Sequence, residues 1–149
     1  MLAYVAISIG DLLIGFLSNW MKSRKKALYL FYSMTIFSIV LYFYQKGGTA
    51  TGMYAICMIM GFATGFWALF VTMAAEHFGT NLRATAATTV PNMVRGSLPL
   101  IIMLFKALEP HTGYINAAAI TGVIVMALSF AAVIMTEETF GKDLNFIEH

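Results

Sequence analysis

The stretch Gly15–Lys26, GFLSNWMKSRKK, is a basic turn between two long apolar segments. One segment begins at residue 2 and ends inside this stretch, and the other runs on to Tyr44. Within five positions the stretch carries four cations: Lys22, Arg24, Lys25 and Lys26. Lys and Arg beside a membrane span stay on the cytoplasmic side because they resist translocation. The stretch therefore predicts a cytoplasmic turn between two transmembrane helices.

The composition of the 149 residues is typical of a membrane protein. Sixty per cent of them are hydrophobic and 11% are charged, and the mean hydropathy is +0.79. A water-soluble chain needs a charged surface, and so few charges cannot cover one. The nine basic and seven acidic residues indicate membrane topology rather than a nucleic-acid-binding patch, because the cations cluster beside apolar segments. Nucleic acid is not expected as a partner.

Five apolar segments are long enough to cross the hydrocarbon core as helices, which takes about 20 residues each. They are residues 2–20, 28–45, 53–75, 86–107 and 114–135. Because lipid offers the backbone no hydrogen-bond partners, segments of this length must be helical. The sequence predicts an all-α integral membrane protein with a five-span bundle over residues 1–136 and a tail at 137–149. Polar turns are expected at Gln45–Gly52, Glu76–Arg83 and Glu109–Gly113.

The distribution of basic residues between the two ends of the spans predicts the orientation of the bundle. Six cations fall on one side and two, Lys46 and Lys106, on the other. The richer side is expected to be cytoplasmic, which also places the C-terminal tail in the cytoplasm. The expected location is a bacterial inner membrane, crossed several times.

Asp11 and Arg95 are the charged residues expected inside the membrane. Asp11 lies eleven residues before Lys22, and Arg95 lies twelve residues after Arg83. At a rise of about 1.5 Å per residue, both lie roughly 16–18 Å from a cytoplasmic turn. Charges at this depth are costly and face a cavity or a partner. We expect the two side chains either to pair or to line a substrate path, with a purely structural pair as the alternative.

The fourth span contains many residues that interrupt helices or carry polar groups: Thr88, Thr89, Pro91, Asn92, Arg95, Gly96, Ser97 and Pro99. In transporters, spans interrupted by Gly and Pro mark binding or hinge regions. The alternative is a kinked packing helix whose small residues allow close approach. In the third span, Gly61, Gly65 and Ala68 predict a packing face, and Trp67 faces either the interior or lipid.

Signatures of catalysis and of metal binding are absent from the sequence. It has no HExxH, no GxSxG, no paired intramembrane carboxylates and no Gly-rich phosphate loop. The three histidines have no second ligand at metal spacing. We expect no enzymatic activity, no cofactor and no bound metal.

Three segments together resemble the major facilitator superfamily. GFLSNWMKSRKK resembles its signature turn, Gly-x-Leu-(Ala/Ser)-Asp followed by a basic cluster. The segment AEHFGTNLRATA, residues 75–86, is similar to the stretch after the tenth helix of sugar- and metabolite-transporting members. The tail EETFGKDLNFIE, residues 137–148, is similar to the sequence that follows their twelfth helix. The order and spacing agree with the eighth to twelfth helices of that family, so the chain would be a part of such a protein.

The resemblance implies a cytoplasmic charge network that closes an inner gate. Glu76 and Arg83 would join Glu138 in this network, with Arg24 and Lys25 as the basic arm of the turn. Gly15, which would permit close helix contact at the turn, and Asn19 complete the gate candidates. Ion pairs made in one conformation and broken in the other would bias a two-state rocking motion. The chain departs from the family pattern at Asn19, where Asp is usual, and at Glu137, where Pro is usual. The basic arm is also displaced by one residue.

These observations favour the C-terminal part of a secondary transporter that moves a small polar solute, a sugar or organic metabolite, by alternating access. Two modes of transport fit the sequence: proton-coupled symport, with Asp11 as the candidate proton carrier, and uniport. The candidate substrate or coupling residues are Asp11, Trp67, Asn92 and Arg95. Expected partners are the lipid bilayer, a small-molecule substrate and the missing N-terminal half. The alternatives are a self-standing five-span protein with a structural or assembly role, and an intramembrane enzyme with a second reactive group near Asp11.

Overall fold

The computed structural model describes residues 1–45, 49–142 and 147, and every regular element in these ranges is an α-helix. The helices are α1 (Leu2–Trp20), α2 (Arg24–Tyr44), α3 (Ala50–Ala63), α4 (Trp67–Glu76), α5 (Arg83–Gly96), α6 (Leu98–Thr112) and α7 (Tyr114–Met135). They form five spans that are long and apolar enough to cross a membrane, because α3 continues into α4 and α5 into α6. The predicted all-α class is confirmed. Lys46, Gly47 and Gly48 of the predicted second turn, and residues 143–146 and 148–149 of the tail, lie outside the described residues.

Helix α2 begins four residues earlier than the predicted boundary at residue 28. The Ser23 hydroxyl accepts a hydrogen bond from the Lys26 N–H at 3.2 Å and so caps the helix. The carboxylate of Glu138 accepts from the N–H groups of Arg24 and Lys25 at 2.9 and 3.2 Å. Because these first amides all have acceptors, Arg24, Lys25 and Lys26 are part of the helix, whereas Lys22 lies in the turn at φ +49°.

The third span is interrupted, which the sequence analysis did not predict. Helix α3 ends at Ala63 and α4 begins at Trp67. At the interruption α1 and the third span touch through their backbones, because a Cβ on Gly65 would lie 2.7 Å from the Gly10 Cα. One turn earlier, a Cβ on Gly61 would lie 2.5 Å from the Ala3 carbonyl oxygen. Gly61 and Gly65 thus form the predicted packing face, whereas Ala68 is exposed.

The fourth span is interrupted at Ser97, between α5 and α6. Pro99 follows two residues later and has no N–H to donate to the Arg95 carbonyl. Pro91, by contrast, lies within α5. The turn predicted at Glu109–Gly113 is wrong, because α6 continues through Pro110 to Thr112 and leaves only Gly113, at φ +78°, as the connection. Proline's fixed φ is itself helical, so Pro110 removes one hydrogen bond without ending the helix.

The hydrophobic core joins α1, α2, α4 and α7 in the half of the bundle nearest the basic turn. Its buried members are Ile14, Ala27, Leu28, Phe31, Leu69, Met73 and Val133. The α5–α6 span contributes none of them and leaves most of its apolar side chains exposed. The core therefore holds together the helix ends that carry the basic turn, Glu76 and the tail.

Candidate functional site

Arg24 and Glu76 form a two-contact ion pair between the first residue of α2 and the last residue of α4. The Arg24 Nη2 lies 2.9 Å from the Glu76 Oε1, and the Arg24 Nε lies 3.4 Å from the Glu76 Oε2. The side chains are 16% and 11% exposed. Such bidentate, partly desolvated pairs are stronger and more directional than surface pairs.

The same guanidinium also reaches the last turn of α1. Its Nη1 donates to the Ser18 hydroxyl at 2.9 Å and to the Asn19 Oδ1 at 3.1 Å. Asn19 thus contacts Arg24 as a neutral acceptor at the position where the resembled family has a carboxylate. The Arg24 guanidinium also lies 5.3 Å from the centre of the Phe140 ring, a cation–π distance.

The tail after α7 joins this arrangement through Glu138 and Thr139. The Thr139 hydroxyl is buried and donates to the Glu76 Oε2 at 2.6 Å. Glu138 accepts from the Ser23 hydroxyl and from the N–H groups at the start of α2. Burial raises the pKa of Glu138, but the hydrogen bonds from Ser23 and from backbone amides outweigh it, so its pKa is held below the usual value. Glu138 is therefore ionised at neutral pH.

We call this set the cytoplasmic network, after the side of the membrane that the basic residues predict for it; its members are Ser18, Asn19, Ser23, Arg24, Glu76, Glu138, Thr139 and Phe140. It ties together the end of α1, the start of α2 and the end of α4 with the tail after α7. The resemblance to the major facilitator superfamily predicted Asn19, Arg24, Glu76 and Glu138 as gate residues. Ser18, Ser23, Thr139 and Phe140 were missed, although two of them neighbour Arg24 and Glu138 in the sequence.

The other implied gate residues take different positions. The Lys25 Nζ donates to the carbonyl oxygens of Ile134 and Thr136 at 3.2 and 2.8 Å, at the end of α7. Arg83 begins α5 and donates to the Phe78 carbonyl. Among the described residues Gly15 makes no close contact, since a Cβ there would meet nothing within 4 Å. In these residues α1 approaches the third span closely at Gly10 instead.

Asp11 and Arg95 both reach the start of α4. The Asp11 Oδ1 accepts from the Ala68 N–H at 3.1 Å, and the Arg95 guanidinium lies 5.2 Å from the centre of the Trp67 ring. Although these contacts are to adjacent residues, Asp11 and Arg95 form no ion pair with each other in the part of the chain that the structure describes. Asn92 lies on α5 three residues before Arg95, with an exposed side chain. The first turn of α4 is thus the meeting point of the intramembrane charges.

A cavity of about 960 Å³ lies between α2, α4, α5 and α7. Its wall is mainly apolar and aromatic, with Tyr32, Trp67, Phe70 and Val94 among its members. His77 and Glu137 line the end nearest the cytoplasmic network. A cavity of this size accommodates a small organic molecule. Within the described residues no cluster of His, Cys, Asp and Glu could hold a metal ion.

Comparison with known proteins finds one distant relative. The chain is 27% identical over 150 aligned positions to the niacin transporter NiaP of Acinetobacter baylyi (strain ATCC 33305 / BD413 / ADP1). The alignment covers 97% of this chain but 34% of the relative, so the chain spans about a third of that protein's length. No family model matches the chain, and no solved structure does either. Together with the five apolar spans, the similarity supports an integral membrane protein with a transporter-like role.

Proposed function

We propose that the chain forms the C-terminal part of a major-facilitator-type secondary transporter, which moves a small organic solute across a bacterial inner membrane by alternating access. Three observations support this: the five apolar spans, the cytoplasmic network, and the distant similarity to a transporter about three times as long. The rest of the substrate path would come from an N-terminal half. In this orientation the tail and the cytoplasmic network face the cytoplasm.

The observation that carries the proposal is the ion pair of Arg24 with Glu76, embedded in the cytoplasmic network. Single surface ion pairs contribute little, whereas this network joins four segments through one guanidinium and two carboxylates. Contacts that exist in one conformation and break in the other shift a two-state equilibrium by their whole free energy. We infer that the network closes the cytoplasmic side and opens when the halves rock.

The substrate class that suits the interior is a small aromatic carboxylate. A guanidinium binds a carboxylate through two parallel hydrogen bonds, and an indole face stacks on a planar ring. Arg95 and Trp67 offer these groups in contact with each other, with the guanidinium over the indole ring, and Trp67 also lines the 960 Å³ cavity. Niacin, the substrate named for the relative, is a pyridine carboxylate and has both features.

The test is uptake of radiolabelled nicotinate by bacteria that express the full-length protein, with Glu76→Gln compared against Lys142→Gln. Lys142 is the control because it also forms an ion pair, with Glu137 at 2.8 Å, but on an exposed surface. We expect uptake by the parent protein, an uptake rate at least fivefold lower for Glu76→Gln at equal membrane abundance, and no change for Lys142→Gln. Absence of uptake of nicotinate and of related aromatic carboxylates by the parent protein would overturn the substrate class. Equal rates for the two variants would overturn the gate.

A further inference from the structure

We propose that Asp11 is a positioning residue, which caps the interrupted third span from a neighbouring helix and thereby fixes the place of Trp67. The sequence alone suggested a proton carrier at this position. The geometry favours a cap, because among the described residues the Asp11 carboxylate contacts a backbone amide and not another charged side chain. The part that concerns transport rests on the proposed function, but the structural part does not.

The interruption creates the need for a cap. The first N–H groups of a helix have no acceptors within it, and lipid supplies no water to replace them. Helix α4 begins inside the membrane, and its N-cap residue, Phe66, makes no side-chain hydrogen bond. The Asp11 Oδ1 accepts from Ala68, the second residue of α4, at 3.1 Å. The acceptor thus comes from α1.

The glycines on both helices make this contact possible. A Cβ on Gly65 would lie 2.7 Å from the Gly10 Cα and 2.8 Å from the Asp11 backbone nitrogen. A Cβ on Gly10 would lie 2.5 Å from the Phe62 carbonyl oxygen. The backbones are therefore already in contact, and a short side chain at position 11 is enough to reach the start of α4. Gly10, Asp11 and Gly65 act as one unit.

The charge of Asp11 is also balanced by this arrangement. A helix N-terminus carries a partial positive charge that favours a nearby carboxylate. The start of α4 therefore serves as the counterion of Asp11. Arg95 is not needed for that role, and its guanidinium lies over the adjacent Trp67 ring. Trp67 is the first residue of α4, so an α4 that is correctly capped presents Trp67 and Arg95 together.

Two substitutions separate a cap from a proton carrier. Asp11→Asn keeps a short hydrogen-bond acceptor and removes the titrating group, whereas Asp11→Glu keeps the titrating group and lengthens the side chain where the backbones touch. The environment of Trp67 is read as the difference fluorescence spectrum between each variant and the same variant carrying Trp67→Phe. Nicotinate uptake is measured on the same full-length variants at several pH values.

We expect Asp11→Asn to keep the parent's Trp67 emission and an uptake rate within about twofold of the parent's, with an unchanged pH profile. Asp11→Glu and Asp11→Ala are expected to shift the Trp67 emission and to reduce uptake about fivefold, which is the factor by which losing a cap shifts an equilibrium constant. Loss of uptake in Asp11→Asn with unaltered emission would overturn the proposal in favour of a proton carrier. Unaltered emission in both Asp11→Ala and Asp11→Glu would also overturn it. If the parent protein takes up no nicotinate, the proposed function fails while the emission data still decide the role of Asp11.

Discussion

Charged side chains have different partners in the cytoplasmic network and at the interruption of the third span. In the cytoplasmic network, the Arg24 guanidinium contacts the Glu76 carboxylate as well as Ser18 and Asn19. At the interruption, Asp11 contacts a backbone amide and Arg95 an aromatic ring. Opposite charges are present in both regions, but only the first region brings them together.

The difference follows from the surrounding medium. Near the membrane surface, opening of the proposed gate would admit water to both charged groups, so ion pairs suit a contact that is made and broken in each cycle. At the middle of the membrane no water replaces a lost partner, so the helix end and the ring give each charge a permanent neighbour. We therefore expect the cytoplasmic network to switch and the interruption to stay assembled.

The largest effect on stability is expected from breaking the ion pair of the cytoplasmic network. Arg24→Gln leaves the Glu76 carboxylate, only 11% exposed, without its cation, and such a loss costs about 3 kcal/mol. Thermal unfolding of the purified protein in detergent measures it. Lys142→Gln is the matched control, since its partner Glu137 is exposed, and it is expected to leave the melting temperature unchanged. Equal effects of the two substitutions would show that the cytoplasmic network acts no differently from a surface pair.

A smaller loss is expected at the backbone contact beside the interruption. Gly65→Ala places a methyl group 2.7 Å from the Gly10 Cα, and such overpacking costs about 1–3 kcal/mol. Gly122→Ala in α7 is the control, because its Cβ would meet nothing within 4 Å and alanine favours the helix. The melting temperature should fall for Gly65→Ala and should stay unchanged or rise for Gly122→Ala. A neutral Gly65→Ala would show that α1 and the third span do not rely on this contact.

Glu138→Ala removes the acceptor at the start of α2 and is expected to cost about 1 kcal/mol at neutral pH, as for a lost N-cap. Because hydrogen bonds hold the pKa of folded Glu138 below its ordinary value of 4.5, its stabilisation is present above pH 4.5 and is lost as the pH falls through the lower folded pKa. The free energies of unfolding of the parent and of Glu138→Ala should therefore converge as the pH falls below 4.5. A constant difference down to strongly acidic pH would contradict the ionised cap.

The smallest effect on stability is expected from Arg95→Gln, which removes one exposed cation–π contact worth about 0.5–1 kcal/mol. Nicotinate uptake by the same variant should show a large rise in KM, because the proposed carboxylate partner is gone. Arg95→Lys should restore part of the affinity, since it keeps the charge but not the bidentate geometry. An unchanged KM in Arg95→Gln would remove Arg95 from the proposed substrate site and leave it a structural role.

Hydropathy predicts the spans well because burial in lipid depends on composition along a single helix. The same argument places Asp11 and Arg95 at a similar depth, and both do reach the start of α4. Hydropathy could not predict the interruption after Ala63, because it depends on the contact between α1 and Gly65, which are far apart in the sequence. A glycine beside Asp11 and another at residue 65 were the available signals.

The ion pair in the cytoplasmic network could not be derived from residue spacing, since 52 positions separate its partners. Only the resemblance of three segments to one family brought Arg24, Glu76 and Glu138 together before the structure did. The resemblance predicts the charged residues of the cytoplasmic network but not its hydroxyl groups, which belong to Ser18, Ser23 and Thr139. Thr139 and Ser18 are small, common residues, and their roles depend on the position of a buried carboxylate and a guanidinium.

The contact between Gly10 and Gly65 has a consequence for how the bundle assembles. Glycine has no rotamers, so two helices that meet there give up no side-chain entropy, whereas ordering Arg24 restrains a long, flexible chain. Once both helices lie in the bilayer, close approach of small residues is favoured by van der Waals packing alone. We therefore expect α1 and the third span to associate early during insertion, and the charged side chains at the membrane surface to take their final positions afterwards.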